Sequence, residues 1–189
     1  MTTGKPPSTE SIDPALPLGD FYAAAGLAPP PLQLMPPESV PTPYDALLVH
    51  DRDMTSTLEA HHGQLSSLRG LARREGPGRL DREVVLVGDR DGVALEFGAI
   101  RIHLDRFEPQ ARRLIDECRR PLGAILAEFK IAYDSRPVAF FRVPPDRIIR
   151  DALDCGDAEW LYGRHNRLTG RAGGVLADVV EILPPEKPK

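Results

Sequence analysis

Three side chains and one backbone turn in this sequence combine a chemistry-bearing type with a setting that could use it. Arg82, in Arg82-Glu83-Val84-Val85-Leu86-Val87, and Arg164, in Tyr162-Gly163-Arg164-His165, both read as strand residues. An arginine rooted in a strand can present its planar fork to a carboxylate through two N–H groups, which a lysine cannot do. The other reading of each is a solvated or salt-bridged surface arginine. Glu181 sits in Val179-Val180-Glu181-Ile182-Leu183, an otherwise apolar strand. Aliphatic surroundings disfavour an ionised carboxylate and move its pKa towards that of a useful general acid or base. If the strand alternates the other way, Glu181 faces water. The turn is Pro121-Leu122-Gly123, ahead of a helix over 124–129. Its free N–H groups and the helix dipole suit an anion, although such a triplet also serves as a simple helix-breaking corner.

Other candidates carry less. His61-His62 follows an acidic stretch and His50 lies near Asp51 and Asp53. Adjacent histidines point to different sides of a regular element, and no HxxxH or HExxH spacing occurs, so no metal site is expected. Without GxSxG, P-loop or GxGxxG patterns, a triad hydrolase, a nucleotide and a flavin have no support. Cys118 falls on an apolar helix face and reads as packing. The pairs Arg73-Arg74, Arg112-Arg113 and Arg119-Arg120 read as solvated helix or loop faces.

The elements that must position these groups lie in a chain of 189 residues, 41% apolar and 28% charged, enough for one ordinary domain. A net charge of −4 gives no footprint for nucleic acid or an anionic membrane. No apolar run approaches the roughly 18 residues of a membrane span, and MTTGKPPSTES does not read as a signal sequence. Cys118 and Cys155 form no disulfide framework and read as reduced thiols. The expectation is a soluble, cytoplasmic protein. Eleven of the 20 prolines fall within the first 43 residues. Proline removes a backbone donor and fixes φ, so 1–42 reads as a mostly disordered tail. Within it, Phe21-Tyr22-Ala23-Ala24-Ala25 could dock as one turn, and the Pro-rich stretch is a candidate contact for a protein partner. Residues 43–184 form the domain and 185–189 a second short tail.

Inside the domain, Ser56 and Glu59 stand at capping-box spacing for a short helix that Gly63 ends. Gln64–Glu75 suits a helix or a strand. Residues 82–87 and 93–97 form a hairpin across Asp89-Arg90-Asp91-Gly92, and 100–104 extends its second strand. Ala111, Leu114, Ile115 and Cys118 mark a helix over 109–120. A strand over 138–143 and a short helix over 146–153 follow. A last hairpin joins 160–168 to 175–183 across a Gly-rich turn. Tight turns rather than crossover helices favour an α+β fold: a single antiparallel β-sheet with helices on one face.

Read together, the segments resemble the chorismate pyruvate-lyase family. Four motifs match in order: Asp53-Met54-Thr55-Ser56-Thr57-Leu58-Glu59; Arg82-Glu83-Val84-Val85-Leu86; Pro121-Leu122-Gly123; and Tyr162-Gly163-Arg164-His165-Asn166-Arg167-Leu168 before Glu181-Ile182-Leu183-Pro184. The resemblance implies helical flaps over an enclosed pocket. It also implies conversion of chorismate to 4-hydroxybenzoate and pyruvate without metal or organic cofactor, with ubiquinone biosynthesis as the suggested pathway. Arg82 would hold the ring carboxylate, assisted by the N–H groups around Leu122 and Gly123. Met54 would line the pocket and Glu181 would face the ring hydroxyl, with Asp178 as the alternative carboxylate. The reaction needs an aligned dianion, exclusion of water and one weak base. Charge and strand position make Arg164 the candidate for the second carboxylate.

Two other classes remain. One is a non-catalytic sensor for a small aromatic carboxylate, since effector domains of some bacterial regulators have a similar fold. Residues 1–42 are too proline-rich for the winged helix that normally precedes them. The other is a scaffold whose tail recruits a partner.

Overall fold

The computed structural model describes residues 13–186. In chain order the elements are α1 (Leu18–Ala24), β1 (Gln33–Met35), α2 (Tyr44–Leu48), α3 (Met54–His62), β2 (Ser66–Gly76), β3 (Arg79–Gly88), β4 (Ala94–His103), α4 (Pro109–Asp116), α5 (Leu122–Glu128), β5 (Tyr133–Val143), α6 (Arg147–Ala152), β6 (Leu161–Gly170) and β7 (Val175–Leu183). The strands form one seven-stranded sheet in the order β1-β5-β6-β7-β4-β3-β2. Every neighbouring pair is antiparallel. The fold is α+β, as the tight turns require.

Strand alternation sorts side chains to two faces. Arg82, Val84 and Leu86 of β3 share one face with Glu96, Gly98 and Ile100 of β4, and with Val179 and Glu181 of β7. The helices α3 and α5 supply Met54, Leu58, Leu122, Ile125 and Leu126 to the apolar clusters on this side. The opposite face carries Val85, Phe97, Ala99, Phe141, Val180 and Ile182, and α1 and α6 pack against it. Helices therefore occupy both sides of the sheet, not one as the sequence suggests. The second face is as apolar as the first and must also be covered.

That layer corrects the N-terminal reading. Leu18 and Tyr22 of α1 are each 1% exposed and Phe21 is 6% exposed. β1 pairs with β5 through Gln33↔Arg142 and Met35↔Phe140. Residues 13–42 are thus built into the domain by their few apolar side chains, despite the prolines. The expectation for 1–12 lies outside the described residues, as does that for 187–189. Two smaller corrections concern α3 and β2. The N-cap of α3 is Asp53, whose carboxylate accepts the Ser56 N–H at 2.8 Å. Glu59 instead accepts from the backbone N–H and hydroxyl of Ser66. Gly63 does end α3, in the left-handed conformation at φ 61°. Residues 66–76 are strand because they pair along β3 from Ser66↔Gly88 to Gly76↔Arg79, so Arg73 and Arg74 lie on an edge strand.

Candidate functional site

Between the sheet and the α3–α5 layer lies a cavity of about 70 Å³. A benzene-sized ligand occupies an apolar cavity of about 150 Å³, so a ring would enter only as the helical cap moves outward. The cavity's floor follows from strand register. Arg82, Ile100, Val179 and Asn166 stand side by side across β3, β4, β7 and β6. The next row is Val84, Gly98, Glu181 and Arg164. Arg82 and Glu181 therefore share a face, two strands and one row apart, and both line the cavity.

Arg82 is 2% exposed. Its Nη2 donates to the Arg120 carbonyl at 3.3 Å, whereas Nε and Nη1 have no partner among the described residues. Burial lowers its pKa, which the nearby Cys118 sulfur opposes. A guanidinium nevertheless stays charged in a protein. The result is a buried cation with unused donors, an arrangement that is costly unless something completes it.

The other end of the cavity is acidic. Glu96 and Glu181 are 8% and 5% exposed. Glu181 Oε2 accepts from Arg164 Nε. Burial raises the Glu181 pKa and the Arg164 charge holds it back. Glu96 is raised well above the usual carboxylate range by burial and by the Glu181 charge. One cation serves two carboxylates: Glu181 is the one paired with Arg164, and the proton is favoured on Glu96, whose pKa is raised the more strongly. Glu96 is then a buried carboxylic acid able to donate a hydrogen bond.

Arg164 itself is not free for a ligand. Besides Glu181, its Nη1 donates to the carbonyls of Leu48 at 3.0 Å and His50 at 2.9 Å, and its Nη2 to that of Arg52 at 3.4 Å. It fastens the α2–α3 connection to the sheet. The role expected for it, holding a second carboxylate, is corrected accordingly. Asp178 is also excluded from the cavity. It accepts from Arg167 Nε at 2.7 Å, lies 3.4 Å from His165 Nε2, and lines a groove on the opposite face.

Met54, Leu122 and Gly123 line the cavity as expected. The anion place at the Pro121-Leu122-Gly123 turn is not open, however. A Cβ at Gly123 would run into the Asp53 carboxylate, so the two N-terminal turns meet there with an acidic side chain between them. A ligand carboxylate at that turn would meet a like charge. Sequence reasoning missed Glu96, Asp53, Tyr133 and Asn166, all of which line the cavity. Glu96 did carry a signal, a carboxylate inside Ala94-Leu95-Glu96-Phe97, the same kind of setting that singled out Glu181.

The sequence matches no family model and no curated protein. Solved structures do resemble it. PhnF from Mycobacterium smegmatis superposes with a TM-score of 0.56 at 14% identity, over 72% of this chain. The effector domain of PhnF gives 0.54 at 15% identity, over 70% of this chain and 88% of that domain. The chain spans 65% of the length of the full PhnF protein. At these identities the likeness shows the fold alone: an antiparallel-sheet α+β fold shared with the effector domain of PhnF. No helix among the described residues is long and apolar enough to cross a membrane.

Proposed function

We propose that this chain binds a small monocarboxylate, of the substituted-benzoate class, in the cavity between sheet and cap. The observation that carries this reading is Arg82, a buried cavity-lining arginine with two guanidinium nitrogens that have no partner among the described residues. A carboxylate would complete its fork bidentately and neutralise its charge. Glu96, kept protonated, would donate to an acceptor at the far end of the ligand. The charge balance favours one carboxylate over two. Among the described lining residues Arg82 is the sole cation, against Asp53, Glu96 and Glu181. A dicarboxylate such as chorismate would leave its second charge unpaired. The fold shared with the effector domain of PhnF supports binding without turnover.

The test is calorimetric titration of the purified full chain with 4-hydroxybenzoate, using 4-hydroxybenzyl alcohol as the uncharged control. Binding of the acid alone, lost in Arg82→Met, is the expected result. Equal binding of both compounds would sink the reading.

A second reading, elimination of pyruvate from chorismate, is favoured by the presence of Glu96 and Glu181 in the same cavity as Arg82. In it, a carboxylate takes the C4 proton, the C3–O bond breaks, and enolpyruvate leaves and becomes pyruvate. Incubation with chorismate and no added metal distinguishes the two readings. Stoichiometric pyruvate and hydroxybenzoate would establish the lyase.

A further inference from the structure

The adjacent histidines at the end of α3 do not diverge as regular helix geometry suggests. Their rings meet edge to face, with centroids 4.8 Å apart. The C-terminal segment brings Glu186 to the same place, with its Oε1 3.3 Å from His61 Nε2. One ligand atom from each of His61, His62 and Glu186 lies within 4.8 Å of the others. Two features produce this cluster. Gly63 ends α3 immediately after His62, so the last turn is free of further helix. Tyr44 then pins the chain beyond β7: its hydroxyl donates to the Pro184 carbonyl at 3.3 Å and accepts the Glu186 N–H at 2.9 Å.

We infer that His61, His62 and Glu186 form a binding site for a borderline divalent cation of the Zn²⁺ class. Two imidazoles and a carboxylate are a donor set that such ions take at about 2.0–2.2 Å, with water completing the sphere. Two ligands of one tetrahedral ion at that bond length sit about 3.3 Å apart, as His61 and Glu186 do. The second imidazole needs only to turn towards them. Magnesium, which demands octahedral oxygen ligands, is a poor match.

The site would act as a clasp. α3 begins at Met54 in the ligand cavity and ends at the histidines, while Glu186 follows β7, which carries Glu181. A bound ion would join the far end of the cap helix to the end of the strand beneath it. It would restrain the outward movement that a ring-sized ligand requires.

The experiment is titration of the metal-stripped full chain with ZnCl₂, read by calorimetry and thermal unfolding, with MgCl₂ as control. The expected result is one equivalent of Zn²⁺ bound and a Tm rise of roughly 5 °C at hundredfold excess over Kd. His61→Ala and Glu186→Gln should each weaken Zn²⁺ binding at least tenfold, while His103→Ala, on the far side of the sheet, should leave it unchanged. Co²⁺ in the site should show the visible bands of a tetrahedral N/O environment. Absence of binding, or binding that survives both His61→Ala and Glu186→Gln, overturns the inference. Each variant alters only partly exposed side chains, so loss of folding does not confuse the result, and the readout does not depend on the carboxylate cavity.

Discussion

Glu181 of β7 and Arg164 of β6 are cross-strand neighbours, and their ion pair is the point where the cavity floor is fastened to the cap. Arg164 is fully buried, and its other two nitrogens donate to carbonyls of Leu48 at the end of α2 and of His50 and Arg52 in the segment that follows. Removing one partner of such a pair leaves an uncompensated buried charge. Arg164→Ala should therefore destabilise the fold by about 3–5 kcal/mol, measured by urea unfolding. A loss below about 1 kcal/mol would show that Glu181 protonates at little expense and that the cap holds without this anchor.

Arg82 is the contrasting case, because it forms no salt bridge among the described residues. A methionine fills similar space and leaves no donor unsatisfied. Removing a buried charge that has no compensating partner removes its desolvation cost. Arg82→Met should thus unfold at equal or higher urea concentration while losing the thermal shift produced by benzoate. A residue retained for stability would show the reverse, a lowered midpoint with ligand binding intact.

The contrast between these two arginines marks what the sequence makes legible. Both sit in strands, and type and setting alone rank them equally. Only the register that places Arg164 opposite Glu181, and the carbonyls that converge on it, separates an anchor from a ligand-facing cation. The antiparallel hairpins were readable because Asp91-Gly92 and the 170–174 turn are local signals. The place of α1 was not. Its buried residues find their partners on β3, β4 and β7, more than sixty positions away in sequence, and the surrounding prolines argue for an extended chain. Asp53 as N-cap was hidden by the equally good capping-box spacing of Ser56 and Glu59. Such choices between local patterns are decided by tertiary contacts.

Glu83 lies on the α1 side of the sheet, with Oε1 buried and without a hydrogen-bond partner among the described residues. Burial, reinforced by Asp146, pushes its pKa up to about 7. The unfolded chain releases this proton near 4.5, the folded protein only near 7. Between those values the folded state binds more protons, so stability falls as pH rises. The contribution is fully present below the lower value and lost above the upper one. Urea midpoints measured from pH 4.5 to 7.5 should show this decline, and Glu83→Gln should flatten it. An unchanged slope in the variant would assign the dependence to another group.

Glu96 should govern the pH dependence of binding rather than of the opposite face. Its pKa is raised by burial and by the ionised Glu181 beside it. While it holds its proton, the cavity offers one carboxylic acid and one carboxylate at the end away from Arg82. Once the proton leaves, two adjacent carboxylates and an anionic ligand share a poorly solvated space, and their repulsion is only weakly screened. Benzoate affinity should therefore fall as pH rises through the raised pKa, although benzoate itself stays ionised throughout. Glu96→Gln keeps the shape and a hydrogen-bond donor but cannot ionise, so its affinity should stay level over the same range. Dissociation constants for both proteins at pH 6, 7.5 and 9 provide the comparison. Parallel losses in the two would place the titrating group elsewhere and return Glu96 to a purely structural role.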